Sequence, residues 1–219
     1  MQSIKKVEPA YQQAYEIIRE MIIKGSLAAG QKLTEESLAA TLNVSRTPIR
    51  ESLRRLEQDG LVVDKRVIKP TDKTLRDIYS MRILIEGYGA FQAASGLPEE
   101  KMAVLLECIE KAKTGSKEEA MQCNTVFHDT IMEASGNPYM LGTYEKMRSI
   151  ILLFRHDVVF YNRPHLQEEH EDIYQAIVNR NSETAERLMK EHLQHDLDFC
   201  LSCMFNRDRV HMDENKIEH

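Results

Sequence analysis

The sequence predicts a mostly α protein, with an N-terminal winged helix-turn-helix followed by an all-helical antiparallel bundle. Three observations predict it. Two short amphipathic segments meet at Asn43-Val44 with helix-turn-helix spacing. After Gly60 the apolar period changes from helical to β-branched runs, and beyond residue 73 no strand signal remains. At 219 residues the chain has room for two modest domains, and Pro70-Thr71-Asp72 punctuates a boundary, giving 1–72 and 73–219.

The first helix is expected over 10–24, where Tyr11, Ala14, Tyr15, Ile18 and Ile22 recur at the spacing of one buried face. Gly25 stands where a left-handed C-cap belongs, and 26–31 reads as a loop with Gly30 as its second turn residue. Thr34 is placed to cap a short helix carrying Leu38, Ala39 and Leu42. After the tight connection, Ser45 is placed to cap the next helix by accepting a first-turn backbone N–H. Pro48 falls in that first turn, where a missing N–H costs nothing. Ile49, Leu53 and Leu56 supply the buried stripe and Gly60 closes the helix. Leu61-Val62-Val63 and Val67-Ile68 then flank Asp64-Lys65-Arg66 as a small hairpin, the wing. Helical stretches follow at 74–95, 98–113, 117–135, 138–160, 164–180 and 182–205, with short joins that favour antiparallel packing. The polar tail from Asn206 is expected to fray.

Composition narrows the function classes. The longest apolar run, Ile150 to Phe154, is far too short for a membrane span. Residues 1–9 lack the apolar stretch of a signal peptide, so a cytoplasmic address is expected. Four cysteines are too few for a disulfide framework. Cys200-x-x-Cys203 has no second pair at zinc-ribbon spacing and reads as two small apolar residues on one helix face. The net charge of −6 divides unevenly: residues 1–70 carry +3 and the remainder −9. A mildly basic head on an acidic body fits a chain of which only the head meets phosphate.

A recognition helix presents its N-terminal side chains to base edges in the major groove. Those positions hold Ser45, Arg46, Thr47 and Arg50, with Arg54 one turn further. Arginine can donate a pair of hydrogen bonds to guanine O6 and N7, while Ser45 and Thr47 suit phosphate oxygens or base edges. Lys65 and Arg66 at the hairpin tip suit the backbone or the adjoining minor groove.

The string from Gly30 through Leu33, Glu35, Leu38-Ala39 and Leu42 to Val44-Ser45-Arg46-Thr47-Pro48-Ile49-Arg50-Glu51, and on to Leu53, Leu56 and Gly60-Leu61-Val62, resembles the winged-helix signature of the GntR family. The resemblance implies that Arg46, Thr47 and Arg50 contact operator DNA. The sequence departs from the pattern at the wing, where the family's usual glycine after the arginine is missing and Val67 follows Arg66 directly.

The body resembles the FCD effector domain of the FadR-type subgroup through Arg82-x-x-x-Glu86, Asn124-x-x-Phe127-His128, Ala134-Ser135-Gly136-Asn137, Glu169-His170 with Ile173 and Ala176-Ile177, and Met189-x-x-His192-Leu193. Four of these residues make chemical sense as a metal site. Asn124 and His128 are four apart and share a helix face, and His170 and His192 lie on amphipathic helices beside apolar residues. Neutral imidazoles suit zinc, with nickel or iron as alternatives. Many FCD domains carry aspartate where this chain has Asn124, and a neutral amide is the weaker ligand. Each histidine taken singly is equally compatible with a hydrogen-bonded core residue. His156, His165, His195 and His211 read as exposed or incidental. An organic acid needs positive charge: Arg82 shares a face with Leu75, Ile78 and Ile85, has Glu86 one turn away, and is joined by Arg148 and Arg155. Surface or intrahelical ion pairs account for these arginines equally well.

The expected function is a ligand-responsive transcription regulator, acting as a homodimer on a palindromic operator, whose DNA affinity is set by a small carboxylate bound at a metal in the helical domain. In the alternative reading the divalent ion is itself the signal. An enzyme is not expected. Di-iron bundles need paired Glu-x-x-His motifs, and neither these nor a nucleophile elbow nor a phosphate-binding glycine loop occurs.

Overall fold

The computed structural model describes the backbone of residues 9–69, 71–157 and 163–217, and the side chains of 9–69, 71–153 and 163–204. Two compact units emerge: Met1–Pro70 with Lys146–Asp157, and Thr71–Glu145 with Val158–His219. The described residues form nine helices and one two-stranded sheet.

In the first unit, α1 (Ala10–Ile23) buries Ala14, Tyr15, Ile18 and Ile22 and ends at Gly25, whose φ of +74° suits a residue without Cβ. Thr34 caps α2 (Glu35–Leu42) by accepting the Ser37 N–H at 3.2 Å. Asn43 turns the chain in the left-handed region before α3 (Arg46–Gln58). Ser45 occupies the N-cap of α3 but its hydroxyl accepts no cap bond, which corrects the sequence expectation. The reason is Pro48: an N-cap side chain accepts from the second or third helical N–H, and here the third residue has none. Ile49 and Leu56 are fully buried against α1 and the wing. Ile150 and Leu153 pack on the same core, so 146–157 belongs with this unit.

The wing pairs β1 (Val62–Val63) with β2 (Arg66–Val67), antiparallel, through a two-residue turn in which Asp64 and Lys65 have φ of +50° and +57°. Positive φ at both turn residues matches the right-handed twist of the strands. Val62 and Val67 face the core. Residues 30–33 add to the free edge of β2, with Gly30 N–H to Val67 O at 2.9 Å and Leu33 N–H to Lys65 O at 2.8 Å.

The second unit holds α4 (Asp72–Gly96), α5 (Glu99–Thr114), α6 (Lys117–Glu133), the first part of α7 (Pro138–Asp157), α8 (Leu166–Val178) and α9 (Ser182–Ile217). Thr71 caps α4, and a reciprocal Ser116–Glu119 capping box opens α6. The long helices α4 and α9 pack along each other, α5 packs on α6, and α8 lies against α5 and α9. Gly89 lets α4 approach α6 closely, since a Cβ there would sit 3.2 Å from the Ile131 carbonyl oxygen. The core is mainly apolar, but where α4, α6, α8 and α9 meet, Arg82, Glu86, Asn124, His128, His170, His192 and Asp196 are buried together with Arg163. Helix α9 continues past Asn206, where fraying is expected from sequence; no Gly or Pro interrupts the run from Ser182. The sequence-predicted helix end at 158–160 lies outside the described residues.

Candidate functional site

On the first unit, the N-terminus of α3 lines an open groove with the N-terminus of α2 and the wing tip. Arg46, Arg50 and Arg54 share it with Glu35, Glu36 and Lys65. Arg50 is held by Glu35: Nε lies 3.1 and 3.2 Å from the two carboxylate oxygens, and Nη2 lies 2.9 Å from Oε2. That pairing keeps the Glu35 carboxyl below the usual carboxylate range. Arg46 makes a looser contact with Glu36, 2.7 Å through one nitrogen with both side chains well exposed. Lys65 stands at the turn as the sequence suggests, but Arg66 belongs to β2 and its Nη1 donates to Gly30 O at 3.0 Å. The reason is register: a two-residue turn leaves room for only one of the two basic residues at the tip.

In the second unit, α6, α8 and α9 each contribute one histidine. The ring nitrogens of His128, His170 and His192 available as ligand atoms lie within 4.8 Å of one another, and all three residues are buried. His128 Nε2 and His192 Nε2 are 3.3 Å apart. Neutral imidazoles cannot both donate across that gap. Zinc–nitrogen bonds of about 2.0–2.1 Å at tetrahedral angles put ligand atoms roughly 3.3 Å apart, so the observed separation fits a shared ion.

Carboxylates fix the rings from behind. His128 Nδ1 is 2.7 Å from Glu86 Oε2, and His192 Nδ1 is 2.8 Å from Glu169 Oε2. A carboxylate accepting the Nδ1 proton turns the Nε2 lone pair inward and raises its basicity, the arrangement common behind metal-bound histidines. Burial alone would raise the Glu169 carboxyl, but hydrogen bonds from His192, Arg163 and His195 overcome it and hold it well below the usual range. Arg163 Nε also lies 2.8 Å from Asp196 Oδ1, and its Nη2 lies 3.0 Å from His192 Nδ1, a close contact and not a hydrogen bond while Nδ1 carries the proton given to Glu169. Stacking of Phe127 on His170, with centroids 4.2 Å apart, closes one side of the cluster.

Arg82 is fully buried next to this cluster. Its Nε contacts Glu86 Oε1 at 2.5 Å and its guanidinium lies 4.8 Å from the Tyr79 ring centre. Burial works against its charge, yet Glu86, Tyr79 and Asp196 together outweigh burial and the arginine stays cationic. Its Nη1 is buried with no hydrogen-bond partner among the described residues. A buried donor without a partner is costly, and an anion would satisfy it.

The structure thus brings His128, His170, His192, Arg82 and Glu86 into one cluster, with Asn124 buried one turn before His128 on α6. Arg148 is half-buried and falls in the segment grouped with the first unit. The side chains of Arg155, His156 and His211 lie outside the described residues. His195 is exposed as expected but not incidental, because its Nδ1 contacts Glu169 Oε1 at 2.8 Å. Sequence reasoning missed Arg163, read as part of a loop, and the roles of Glu169, Asp196 and Tyr144. Asp196 had a signal, since it lies four residues after His192 and so on the same helix face. Tyr144, whose hydroxyl donates to Asp129 Oδ1 at 2.9 Å, is pushed well above the ordinary phenol range by burial and by Glu86 and Asp129. None of the four cysteines forms a disulfide, and Cys108, Cys123 and Cys200 are buried. No helix among the described residues is long and apolar enough to cross a membrane.

Fold and site together define a winged helix-turn-helix head joined to an all-helical unit with a buried polar cluster. Residues 10–66 match the bacterial regulatory proteins of the gntR family, and residues 77–195 match the FCD domain. The HTH-type transcriptional regulator YdhC of Bacillus subtilis (strain 168) is 31% identical over 207 residues, covering 88% of this chain and 92% of that protein. The gluconate operon transcriptional repressor of Bacillus licheniformis is 28% identical over 170 residues, covering 74% and 69%. The solved structure of E. coli McbR/YncC superimposes with a TM-score of 0.74 at 20% identity, covering 90% of this chain and 99% of that one. The chain belongs to the GntR family and carries an FCD domain. It is a DNA-binding transcription regulator and not an enzyme.

Proposed function

We propose that the operator affinity of this regulator is controlled by a small carboxylate that binds at a divalent transition metal in the helical unit, with zinc the first choice and nickel or iron the alternatives. His128, His170 and His192 hold the ion, and Asn124 contributes its amide oxygen. When bound, the ion supplies a Lewis-acid position for a carboxylate oxygen. Arg82 Nη1 takes the effector's second oxygen, while Glu86 and Glu169 keep two of the imidazoles in the tautomer that points Nε2 inward. The protein acts as a cytoplasmic homodimer on a two-fold operator, one recognition helix per half-site. Ser45, Arg46, Thr47, Arg50 and Arg54 face the major groove and its phosphates, and Lys65 with Arg66 faces the flanking backbone.

The observation that carries this reading is the 3.3 Å approach of two buried Nε2 atoms whose opposite nitrogens both meet carboxylates. Arg82, whose Nε contacts the same Glu86 that meets His128 Nδ1, has an Nη1 without a hydrogen-bond partner among the described residues, which supports an anionic ligand. One relative is named for an operon of gluconate, itself a carboxylate. Elemental analysis of the untagged protein tests the site. About one divalent ion per chain is expected, and none after His128→Ala with His170→Ala. A wild-type chain that stays metal-free after zinc and nickel are added back would make the three histidines core residues only.

A further inference from the structure

We infer that Glu35 is a positioning residue for DNA readout, fixing the Arg50 guanidinium so that its remaining donor edge points at a base. This inference rests on the reading that Arg50 contacts operator bases.

The stereochemistry carries it. A guanidinium has five N–H donors in a fixed fork. Nε–H and one Nη2–H form its side edge, while the other Nη2–H and an Nη1–H form its end edge. Either edge can donate two parallel bonds to guanine O6 and N7. Glu35 occupies the side edge, contacting Nε and Nη2 through both of its oxygens. The end edge keeps its full pair of donors, and the plane of the group is set.

Position supports the same assignment. Glu35 is the first residue of α2, where the helix macrodipole favours a carboxylate, and Arg50 lies one turn into α3. The two helices hold each other in the shared core, so the clamp joins two rigid elements. The Arg50 side chain is 57% exposed and Glu35 29%, in a groove that also holds Arg46 and Lys65. A pair this open adds little to folding. Its effect belongs to recognition, where a long side chain fixed in advance loses less freedom on binding. Arg46 has no such clamp, since its contact with Glu36 uses one nitrogen between two well-exposed side chains. The two arginines therefore divide the work: Arg50 reads a base in a set orientation, and Arg46 adapts to a base or a phosphate.

The charge of Glu35 opposes phosphate in general, so the residue should raise selectivity while lowering indiscriminate affinity. A structural role would not produce that split. The test selects bound sequences from a duplex library with a randomised core, using full-length wild type, Arg50→Ala, Glu35→Ala and Glu35→Gln. Affinities are then measured for the selected duplex, for its single-base variants and for a duplex lacking the motif. Arg50→Ala is expected to erase preference at one base pair per half-site. Glu35→Ala should weaken preference at that same base pair about tenfold and bind the motif-free duplex more tightly, with Glu35→Gln in between. Unchanged or sharpened preference in Glu35→Ala would overturn the positioning role and make the pair a mask or an idle contact. If Arg50→Ala keeps every base preference, the reading of Arg50 as a base reader fails, and the role of Glu35 fails with it. Circular dichroism melts of each variant establish that the losses are not those of unfolded protein.

Discussion

Glu169 accepts from His192, His195 and Arg163, three groups reaching it from two different elements. Replacing it with Gln removes charge-assisted bonds worth about 1.5–3 kcal/mol each in favourable cases, and leaves Arg163 with Asp196 as its remaining carboxylate among the described residues. We expect Glu169→Gln to lower stability by about 2 kcal/mol at pH 7 in denaturant titrations. The pH dependence follows from the direction of the shift. The folded-state pKa is depressed, so the contribution is fully present above the unfolded value of about 4.3 and is lost as pH falls below it. The gap between wild type and variant should therefore persist down to about pH 4 and shrink below that. A gap that stays constant into strong acid would mean that the carboxylate is not the source. What was legible at this scale was what lies close in sequence. Asn124 with His128 and Arg82 with Glu86 are four-residue pairs on one helix face, and both are buried as the pattern implies. The link of Arg163 and Glu169 to His192 was not legible, because it spans 29 and 23 residues and depends on how α8 and α9 pack. No local periodicity encodes that packing.

At the scale of elements, the recognition helix separates two roles that serine can play. N-cap serine ordinarily stabilises a helix by about 1 kcal/mol. Ser45 makes no such bond, since Pro48 removes one of the two N–H groups it could accept. Ser45→Ala should accordingly change the melting temperature little while weakening operator binding, as loss of a phosphate or base contact would. A large stability loss with unchanged DNA affinity would restore the capping role and remove Ser45 from the interface. The elements were readable in sequence where punctuation is strong: Gly25, Thr34, Asn43 and Gly60 all mark the boundaries they suggested. The wing was readable as a hairpin but not in register. The run Asp64-Lys65-Arg66 allows a turn of either two or three residues, and pairing of Val62 with Val67 decides for two. That choice moves Arg66 from the tip into the strand, where Gly30 O engages it.

The whole chain joins a head with DNA-binding architecture to a helical unit with a strongly polar interior cluster. The head is the better marked in sequence, because caps, turns and the recognition helix are all local. The cluster needs four helices to exist. Membership of the GntR family settles what the protein does in outline; the proposal beyond it is that an anion bound beside the three histidines sets the grip on DNA. Fluorescence anisotropy tests that claim most directly. A duplex taken from the selection is titrated with full-length protein, first metal-free, then loaded, then loaded in the presence of each of a panel of small hydroxycarboxylates including gluconate. At least one carboxylate should shift the affinity by roughly 5- to 150-fold in the wild type, and by nothing in His128→Ala with His170→Ala. A shift on metal loading alone would make the ion the signal. Affinity unmoved by metal and by every carboxylate, or a shift that survives loss of both histidines, would contradict control from this site.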